Sequence, residues 1–233
     1  MQCVIIAAGK GTRMMPLTSE TPKPLLPVCG KPIITHIVEA LPAEITELIL
    51  VVGYRADQIK AYCGDTFCGR PVTYCEQADF AGGTGDALLC AKPYLRDTFL
   101  LMYADDIQGS EALAAVVKEE HAMLAMESDH PEDFGVLELN SDGTLREIIE
   151  KPADPPSQLV NIGGFVISPA IFDYVVDVSE QSGELYVTDM VTAYAADHPV
   201  KVVTQDTWIP VGRPEDIPQA EASLCPERVE STG

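Results

Sequence analysis

A glycine-containing loop and a lysine held between prolines lie close together near the start of the chain. The loop, Gly-Lys-Gly-Thr-Arg at residues 9–13, directly follows an apolar run that predicts a buried strand. Glycines let a backbone approach a ligand closely, and successive N–H groups in such a loop can bind phosphate. The loop lacks the third glycine of the dinucleotide fingerprint, because Met14 stands there, and it also fails the P-loop pattern. Taken alone, it fits an ordinary turn between a strand and a helix.

Lys23 lies between Pro22 and Pro24 in the segment Thr-Pro-Lys-Pro-Leu-Leu-Pro-Val at residues 21–28. Both rings restrict the backbone, so that fixing the lysine costs little conformational entropy. A cation fixed in this way suits a phosphate ligand. A rigid surface turn with a solvated lysine explains the segment at least as well when it is considered alone.

Two carboxylates follow the fully apolar segment 99–103. A buried strand that ends at Asp105 and Asp106 would deliver these charges to the mouth of a sheet. Mg²⁺ binds to one or two protein carboxylates together with phosphate oxygens and water. The alternative interpretation is a solvated Asp-Asp turn.

The apolar pattern predicts the elements that position these residues. In the first half, strands are predicted at 4–7, 48–52, 72–75 and 99–103, and helices at 33–41, 56–62, 84–95 and 111–120. Such alternation indicates a mostly parallel, doubly wound α/β sheet with ligands at the carboxyl ends of its strands.

The pattern changes after residue 121. Segments 134–139 and 145–149 flank Asn-Ser-Asp-Gly, a strong hairpin turn. Further strands are predicted at 159–167 and 200–203, and helices at 169–176, 186–196 and 214–224. We therefore predict a single domain over residues 1–233, in which a mostly parallel half (about 1–121) is extended by a mixed β half (about 122–224).

The charge balance restricts the partners. The chain has 15 basic and 36 acidic side chains, a net charge of −21. Such a field repels nucleic acid and anionic membranes, so neither is an expected partner. A nucleotide would be repelled too, except that residues 1–38 carry Lys10, Arg13, Lys23 and Lys31 against the single acid Glu20.

The apolar runs and the cysteines indicate the compartment and the metal content. The run at residues 3–8 is far shorter than the ~20 residues that span a bilayer, and no basic segment precedes it. The seven cysteines form no Cys-x-x-Cys pair, which argues against a zinc site. Free thiols in a reducing cytoplasm are the expectation.

Together, the loop and the lysine segment are far more specific than either alone. Residues 7–28 closely resemble the signature of the sugar-phosphate nucleotidyltransferase family, also called nucleoside-diphosphate-sugar pyrophosphorylases. That signature, Gly-x-Gly-Thr-Arg-(Leu/Met)-x-Pro-Leu-Thr-x-x-x-Pro-Lys-Pro-Leu-x-Pro-Val, has every fixed position matched between Gly9 and Val28. The resemblance continues through weaker motifs to about Leu224. It implies a Rossmann-like domain with a nucleotide-binding first half and an acceptor-binding second half.

The resemblance implies roles for residues of the first half. Arg13 and Lys23 would be the catalytic cations, and Gln77 would read the base. Tyr103-Ala104-Asp105 resembles the family's (Tyr/Asn)-Gly-Asp motif, whose aspartate binds Mg²⁺; Asp106 is the near alternative. The residues implied in nucleotide binding are Ala8, Gly9, Gly11, Thr12, Gln77, Gly83 and Thr84.

Short motifs of the second half resemble the family's sugar-phosphate pocket. Gly135 belongs to a loop that would line this pocket, and Glu150 and Asn161 would contact sugar hydroxyls. Lys151, in a Glu-Lys-Pro motif, would bind the sugar phosphate.

One position departs from the family pattern. Members commonly carry Trp-x-Asp-x-Gly, whose aspartate completes the metal site, whereas here the segment from Trp208 to Gly212 has Pro210 in that place. A second metal ligand could come from Asp189, Asp206 or water, or the site could rely on Asp105.

The expected activity is Mg²⁺-dependent transfer of a nucleotidyl group from a nucleoside triphosphate to a sugar 1-phosphate. One alternative is a cytidylyltransferase acting on a non-sugar phosphate such as phosphocholine; Glu150 and Asn161 favour a sugar. Another is a non-catalytic, nucleotide-sugar-binding regulatory subunit. Pro210 favours this alternative, and the intact charged set opposes it: Arg13, Lys23, Asp105 and Lys151. The base, the sugar and the oligomeric state, including a homo-oligomer, stay open.

Overall fold

The computed structural model describes residues 1–79, 82–178 and 183–226. The strands are β1 Gln2–Ala7, β2 Pro27–Val28, β3 Lys31–Pro32, β4 Glu47–Val52, β5 Thr66–Phe67, β6 Arg70–Glu76, β7 Phe99–Tyr103, β8 Asp106–Gln108, β9 Ala122–Glu127, β10 Gly135–Leu139, β11 Leu145–Glu150, β12 Leu159–Ile167, β13 Lys201–Thr204 and β14 Trp208–Pro210. The α-helices are α1 Ile33–Ala40, α2 Ala56–Cys63, α3 Gly83–Ala91, α4 Ser110–Val116, α5 Val187–Ala195 and α6 Asp216–Leu224. Within these ranges, every helix is too short or too polar to cross a bilayer.

Four parallel strands form the centre of the main sheet, in the order β7-β1-β4-β6. Ile5 of β1 pairs with Leu50 on one side and with Met102 on the other, and all three are buried. Successive residues of β1 pack into different hydrophobic clusters: Ile5 joins one and Val4 the other. Both faces of the sheet are therefore covered, which is why its strands are continuously apolar.

Strands of the second half extend this sheet. β12 pairs antiparallel with β7, β9 and β10, and the hairpin β10–β11 forms around the predicted turn at residues 140–143. β13 adds to β9 in parallel. The predicted parallel α/β core with a mixed β extension is confirmed.

Two differences from the predicted elements are informative. The helix expected at 169–176 is only a 3₁₀ segment, Pro169–Asp173, followed by irregular chain. The pair β8–β14 was not predicted, because three-residue strands are too short to show a period and one of them contains Pro210. This pair proves important for the site.

The expectation that all cysteines are free thiols is wrong. Cys29 and Cys225 form a disulfide whose Cα atoms are 6.2 Å apart, and it connects the β2–β3 turn to the chain just after α6. The partners are separated by 196 positions, so no local spacing could predict the bond. The free cysteines are Cys3, Cys63, Cys68, Cys75 and Cys90.

Candidate active site

A cavity of about 380 Å³ opens at the carboxyl ends of the parallel strands. Strand β1 leads into it through Ala7 and Gly9, β7 through Tyr103 and β6 through Gln77. This is the edge at which open α/β sheets bind ligands. The lining residues are Ile6, Ala7, Gly9, Gly11, Thr12, Arg13, Lys23, Pro24, Gln77, Gly83, Thr84, Tyr103, Ala104, Asp105, Glu184 and Gly212.

Gly11 packs the glycine loop directly against the lysine segment. Its backbone is left-handed, with φ of 60°, and its carbonyl accepts a hydrogen bond from the Thr18 hydroxyl at 2.8 Å. A Cβ at this position would lie 3.1 Å from Thr18 Cγ2 and 3.2 Å from Lys23 Cβ. Only glycine satisfies both the backbone conformation and the close approach, so this residue sets the distance between the two motifs.

Lys23 and Asp105 form an ion pair at the cavity wall. The Lys23 side chain is 10% exposed, and its Nζ lies 2.6 Å from Asp105 Oδ2. The 3₁₀ turn Lys23–Leu25, which begins after Pro22, fixes the lysine backbone, as the bracketing prolines suggested. Arg13 lines the same cavity from the exposed end of the glycine loop. The two predicted cations and the predicted metal ligand therefore surround one space.

The Gln77 side chain is buried and its orientation is set by its neighbours. Its Nε2 donates to the Gly83 carbonyl at 3.1 Å and to Asp86 Oδ2 at 2.9 Å. Because both partners are acceptors, the amide nitrogen must face them. Gln77 Oε1 is then the polar atom available to a ligand in the cavity.

The segment 183–187 closes one side of the cavity, and the sequence interpretation missed it. Glu184 lines the cavity, and the carbonyl of Leu185 accepts from the Gly85 N–H at 2.8 Å. Gly83 has φ of 86°, and a Cβ there would lie 2.5 Å from the Leu185 carbonyl oxygen. Small residues at the start of α3 are thus required for this contact across about one hundred positions. The sequence around Gly183 and Glu184 contains no motif that predicts a contact with α3.

Ala8 is the one predicted nucleotide-binding residue that does not line the cavity. Ala7 contributes to the cavity wall, whereas Ala8 is 1% exposed and packs in the core. Its carbonyl accepts the backbone N–H of Tyr54 at 2.9 Å, which fixes the chain as it leaves β1.

The predicted acceptor residues come together beside the cavity, at the start of β10, the end of β11 and the third residue of β12. Gly135 pairs with Glu150, and a Cβ on Gly135 would lie 3.2 Å from Glu150 Oε2 and 3.7 Å from Asn161 Cβ. Asn161 Oδ1 accepts from the Gly163 N–H at 3.0 Å, which leaves the Nδ2 group as a donor. Lys151 follows Glu150 in a left-handed conformation with φ of 44° and is exposed.

Tyr103 lies between the cavity, which it lines, and the residues predicted to bind the acceptor. A Cβ on Gly163 would lie 3.0 Å from the Tyr103 ring, and the Tyr103 hydroxyl interacts with the Thr84 side chain. Burial raises the pKa of Tyr103, and the negative charge of Asp106 is the second largest cause of this increase. The phenol therefore stays neutral. Its ring packs between the cavity and Gly163, and its hydroxyl is at the Thr84 side chain.

Asp106 lies beside Asp105, on β8. Its Oδ1 accepts the indole N–H of Trp208 at 3.0 Å, and β8 pairs with β14 so that Asp106 is opposite Pro210. Burial, followed by the charge of Asp105, raises the pKa of Asp106 well above its usual range. Hydrogen bonding to Trp208 and the positive charges of Lys23 and Arg13 act in the opposite direction.

The oxygen donors at this edge fit a hard divalent cation. Asp105 and Asp106 are consecutive residues whose charges interact. Mg²⁺ needs only one or two protein carboxylates when phosphate oxygens and water complete the shell. Groups of three or more His, Cys, Asp and Glu side chains that could hold a metal are absent from the described ranges. A closed, all-protein metal site is therefore not formed by these residues, whereas an open site shared with a phosphate ligand fits them.

Comparison with known proteins identifies the family. The family model described as nucleotidyl transferase matches residues 2–227. The chain belongs to the nucleotidyl transferase family. Members of this family generally depend on a divalent cation, in agreement with the donor set.

A curated relative of this nucleotidyl transferase is named for a reaction on a sugar phosphate. It is 36% identical over 245 aligned residues to the UTP–glucose-1-phosphate uridylyltransferase AglF of Haloferax volcanii, with 100% of both chains covered. It is also 36% identical over 228 residues to the bifunctional protein GlmU of Methanocaldococcus jannaschii, which covers 96% of this chain and 54% of that protein. The chain thus spans about half the length of GlmU.

The solved structure of a UDP-glucose pyrophosphorylase in complex with UDP-glucose has the same fold as this nucleotidyl transferase. The TM-score is 0.84, with 23% identity and coverage of 97% of this chain and 99% of the other. The predicted Rossmann-like architecture is thereby confirmed.

Proposed function

We propose that this nucleotidyl transferase joins a nucleoside monophosphate from UTP or dTTP to a sugar 1-phosphate and releases pyrophosphate. The observation that carries the proposal is the arrangement of the glycine loop, Arg13 and the Lys23–Asp105 pair around one cavity, with Glu150 and Asn161 adjacent to it. A binding protein with no turnover has less need of this charged set.

The reaction is a direct displacement. An oxygen of the sugar phosphate attacks the α-phosphorus, and the bond from that phosphorus to the bridging oxygen of the β-phosphate breaks. Pyrophosphate leaves with the electron pair. Because the attacking phosphate is already an anion, no general base is required, and catalysis consists of positioning and charge stabilisation.

Each basic residue has a separate task in this scheme. Arg13 and Lys23 are the catalytic residues that stabilise charge on the departing pyrophosphate, and Lys151 steers the acceptor phosphate. The N–H groups of Gly9, Gly11 and Thr12 hold the triphosphate in the loop.

Asp105, with a further oxygen ligand, would hold Mg²⁺ at the cavity edge. When bound, the ion neutralises phosphate oxygens and lowers the repulsion between the two anionic substrates.

The orientation of Gln77 supports a uracil or thymine base. With its Nε2 committed to Gly83 and Asp86, Gln77 presents the acceptor Oε1. The N3–H of uracil or thymine is a matching donor, whereas N3 of cytosine is an acceptor and cytosine could donate only through its N4 amino group. This disfavours the alternative of a cytidylyltransferase acting on phosphocholine.

The acceptor side supports a hydroxyl-rich substrate. Asn161 retains a donor in Nδ2 and Glu150 offers a carboxylate acceptor, which together suit vicinal sugar hydroxyls. We also propose that residues 1–121 and 122–224 act as the nucleotide and acceptor halves of one domain. A cytoplasmic location is proposed on the nucleoside triphosphate substrate alone, since the Cys29–Cys225 disulfide removes the argument from free thiols.

The test is pyrophosphate release with Mg²⁺ across a matrix of UTP, dTTP, CTP and GTP with phosphorylated sugars and phosphocholine. We expect strong release for UTP or dTTP with one sugar 1-phosphate. Turnover only with CTP and phosphocholine would overturn the proposal. Absence of turnover across the matrix, with nucleotide sugar still bound by the folded protein, would favour the regulatory-subunit alternative.

A further inference from the structure

The carboxylate of Asp105 is partly neutralised before any cation binds. Its Oδ2 accepts from Lys23 Nζ at 2.6 Å, and the lysine is almost completely buried there. An ammonium group at this distance competes with a metal ion for the same oxygen. A divalent cation at the cavity edge therefore benefits from a second carboxylate.

Asp106 has the properties that this second ligand needs. It is half-buried, and one of its oxygens, Oδ1, is oriented by the Trp208 indole N–H. The other oxygen, Oδ2, accepts no hydrogen bond from the residues that the structure describes, and it lies 3.5 Å from where a Gly163 Cβ would be. The charges of Asp105, Lys23 and Arg13 all act on this carboxylate, so it shares their electrostatic environment.

The pairing of β8 with β14 places the Asp106 carboxylate opposite Pro210. Asp106 is the register partner of Pro210, and the Val211 N–H donates to the Asp105 carbonyl at 2.9 Å. The hydrogen bond between the flanking residues makes Asp106 and Pro210 a non-hydrogen-bonded pair, in which both side chains are on one face with Cβ atoms about 4.5–5.5 Å apart. A proline tolerates this position, but its ring offers no ligand.

We propose that Asp106 supplies the second carboxylate ligand of the divalent-cation site. Asp106 lies on β8, directly opposite Pro210 of β14, whose side chain has no ligand atom. The inference rests on the proposed function, in that the cation serves the triphosphate. It assigns a ligand to this chain's own sequence: the carboxylate pair is Asp105 and Asp106, and Asp206 takes no part. Asp206 is exposed and its side chain accepts only from the neighbouring Thr207 hydroxyl among the contacts of the described residues.

The indole of Trp208 provides a direct readout of metal binding. The chain has one tryptophan, and it is hydrogen-bonded to Asp106. Paramagnetic Mn²⁺ bound at Asp106 must therefore quench the tryptophan fluorescence, and diamagnetic Mg²⁺ must reverse the quenching by competition. The experiment is a Mn²⁺ titration of the full chain, without nucleotide and then with UTP, followed by Mg²⁺.

Three variants separate a ligand role from a structural one. Asp106→Asn keeps an oxygen acceptor for Trp208, so that folding is preserved, and is expected to weaken Mn²⁺ binding about tenfold or more. Pro210→Asp in the Asp106→Asn background returns a carboxylate to the same face and is expected to restore most of the affinity. Asp206→Asn, the matched control, is expected to bind Mn²⁺ as the wild type does.

The inference is overturned if Asp106→Asn binds Mn²⁺ with unchanged affinity, or if the double variant fails to recover it while remaining folded by its thermal transition. These outcomes are distinct from failure of the proposed function. A wild-type chain that binds Mn²⁺ through Asp106 and transfers no nucleotidyl group refutes the function and leaves the ligand assignment intact. A chain that turns over, but whose Mn²⁺ affinity does not depend on Asp106, supports the proposed function and refutes the ligand assignment.

Discussion

Lys23 Nζ donates to Asp105 Oδ2 at 2.6 Å, although the two residues are 82 positions apart in the chain. One comes from a 3₁₀ turn after the glycine loop and the other follows the end of β7. The fold thus brings a cation and a carboxylate of the first half to a single point of the cavity.

Replacement of this lysine should impair both activity and stability. Lys23→Met removes a charge that stabilises the departing pyrophosphate, and we expect the rate of pyrophosphate release to fall about 10²–10³-fold. It also leaves Asp105 without its charged partner, which should lower the free energy of unfolding by about 1–3 kcal/mol. Steady-state kinetics and urea denaturation measure the two effects.

Lys31 offers a matched control, because its Nζ also lies 2.6 Å from a carboxylate, that of Glu39, but both side chains are exposed. Lys31→Met should change neither quantity measurably, since exposed ion pairs contribute little. Equal losses in the two variants would contradict a specific role for Lys23.

Gly11→Ala should weaken nucleotide binding. The new Cβ would be 3.1 Å from Thr18 and 3.2 Å from Lys23, and the residue would remain at positive φ. We expect a loss of about 1–2 kcal/mol of stability from the backbone alone, and in addition a several-fold higher KM for the triphosphate. Gly143→Ala has the same backbone strain, with φ of 84° and no atom within 4 Å, and should lose stability with unchanged KM. A raised KM in both variants would argue that strain, not displacement of Lys23, is the cause.

Asp86 should control discrimination between bases through Gln77. Asp86→Asn offers a donor as well as an acceptor to the Gln77 amide, so that only the Gly83 carbonyl still requires the amide nitrogen to face it. The amide then turns its nitrogen to the base more often. We expect the preference for UTP over CTP, as a ratio of kcat/KM, to fall about tenfold, which corresponds to about 1.4 kcal/mol. Asp57→Asn, an exposed acid in the first turn of α2, controls for a general effect at a helix start. An unchanged ratio in Asp86→Asn would refute the orientation argument.

Reduction of the Cys29–Cys225 disulfide should destabilise the fold. The bond closes a loop of 196 positions, and a cross-link of that span restricts the unfolded chain strongly. We expect Cys29→Ser, or a phosphine reductant, to lower the free energy of unfolding by about 2–4 kcal/mol. Cys68→Ser, at an exposed free cysteine, should leave stability and its response to reductant unchanged. A wild-type protein that is insensitive to reductant would show that the bond contributes nothing.

The parts of the site that depend on local chemistry were predictable from the sequence. The glycine loop, Gln77 and Asp105 stand in short motifs at strand ends, and a parallel sheet brings strand ends together. Lys23 stands in a proline-bracketed motif shortly after the glycine loop. The parallel core was predictable for the same reason, because strands such as β1 and β4 are apolar on both faces.

Contacts between distant segments were not predictable. Leu185 reaches the turn at Gly83 from about one hundred positions away, and nothing in either segment specifies the other. Likewise, the relation of Asp106 to Pro210 depends on the register of two three-residue strands. Such pairings depend on how the whole sheet packs. No short segment of a single sequence contains the information that determines them.

The most direct test of the account is the turnover of Asp105→Asn with UTP, a sugar 1-phosphate and Mg²⁺, compared with that of the wild type. Asparagine keeps the size of the side chain and removes the charge that would hold the ion. We predict rapid pyrophosphate release by the wild type and a loss of about 10² or more in the variant, with UTP still bound. Wild-type turnover in Asp105→Asn would contradict the account.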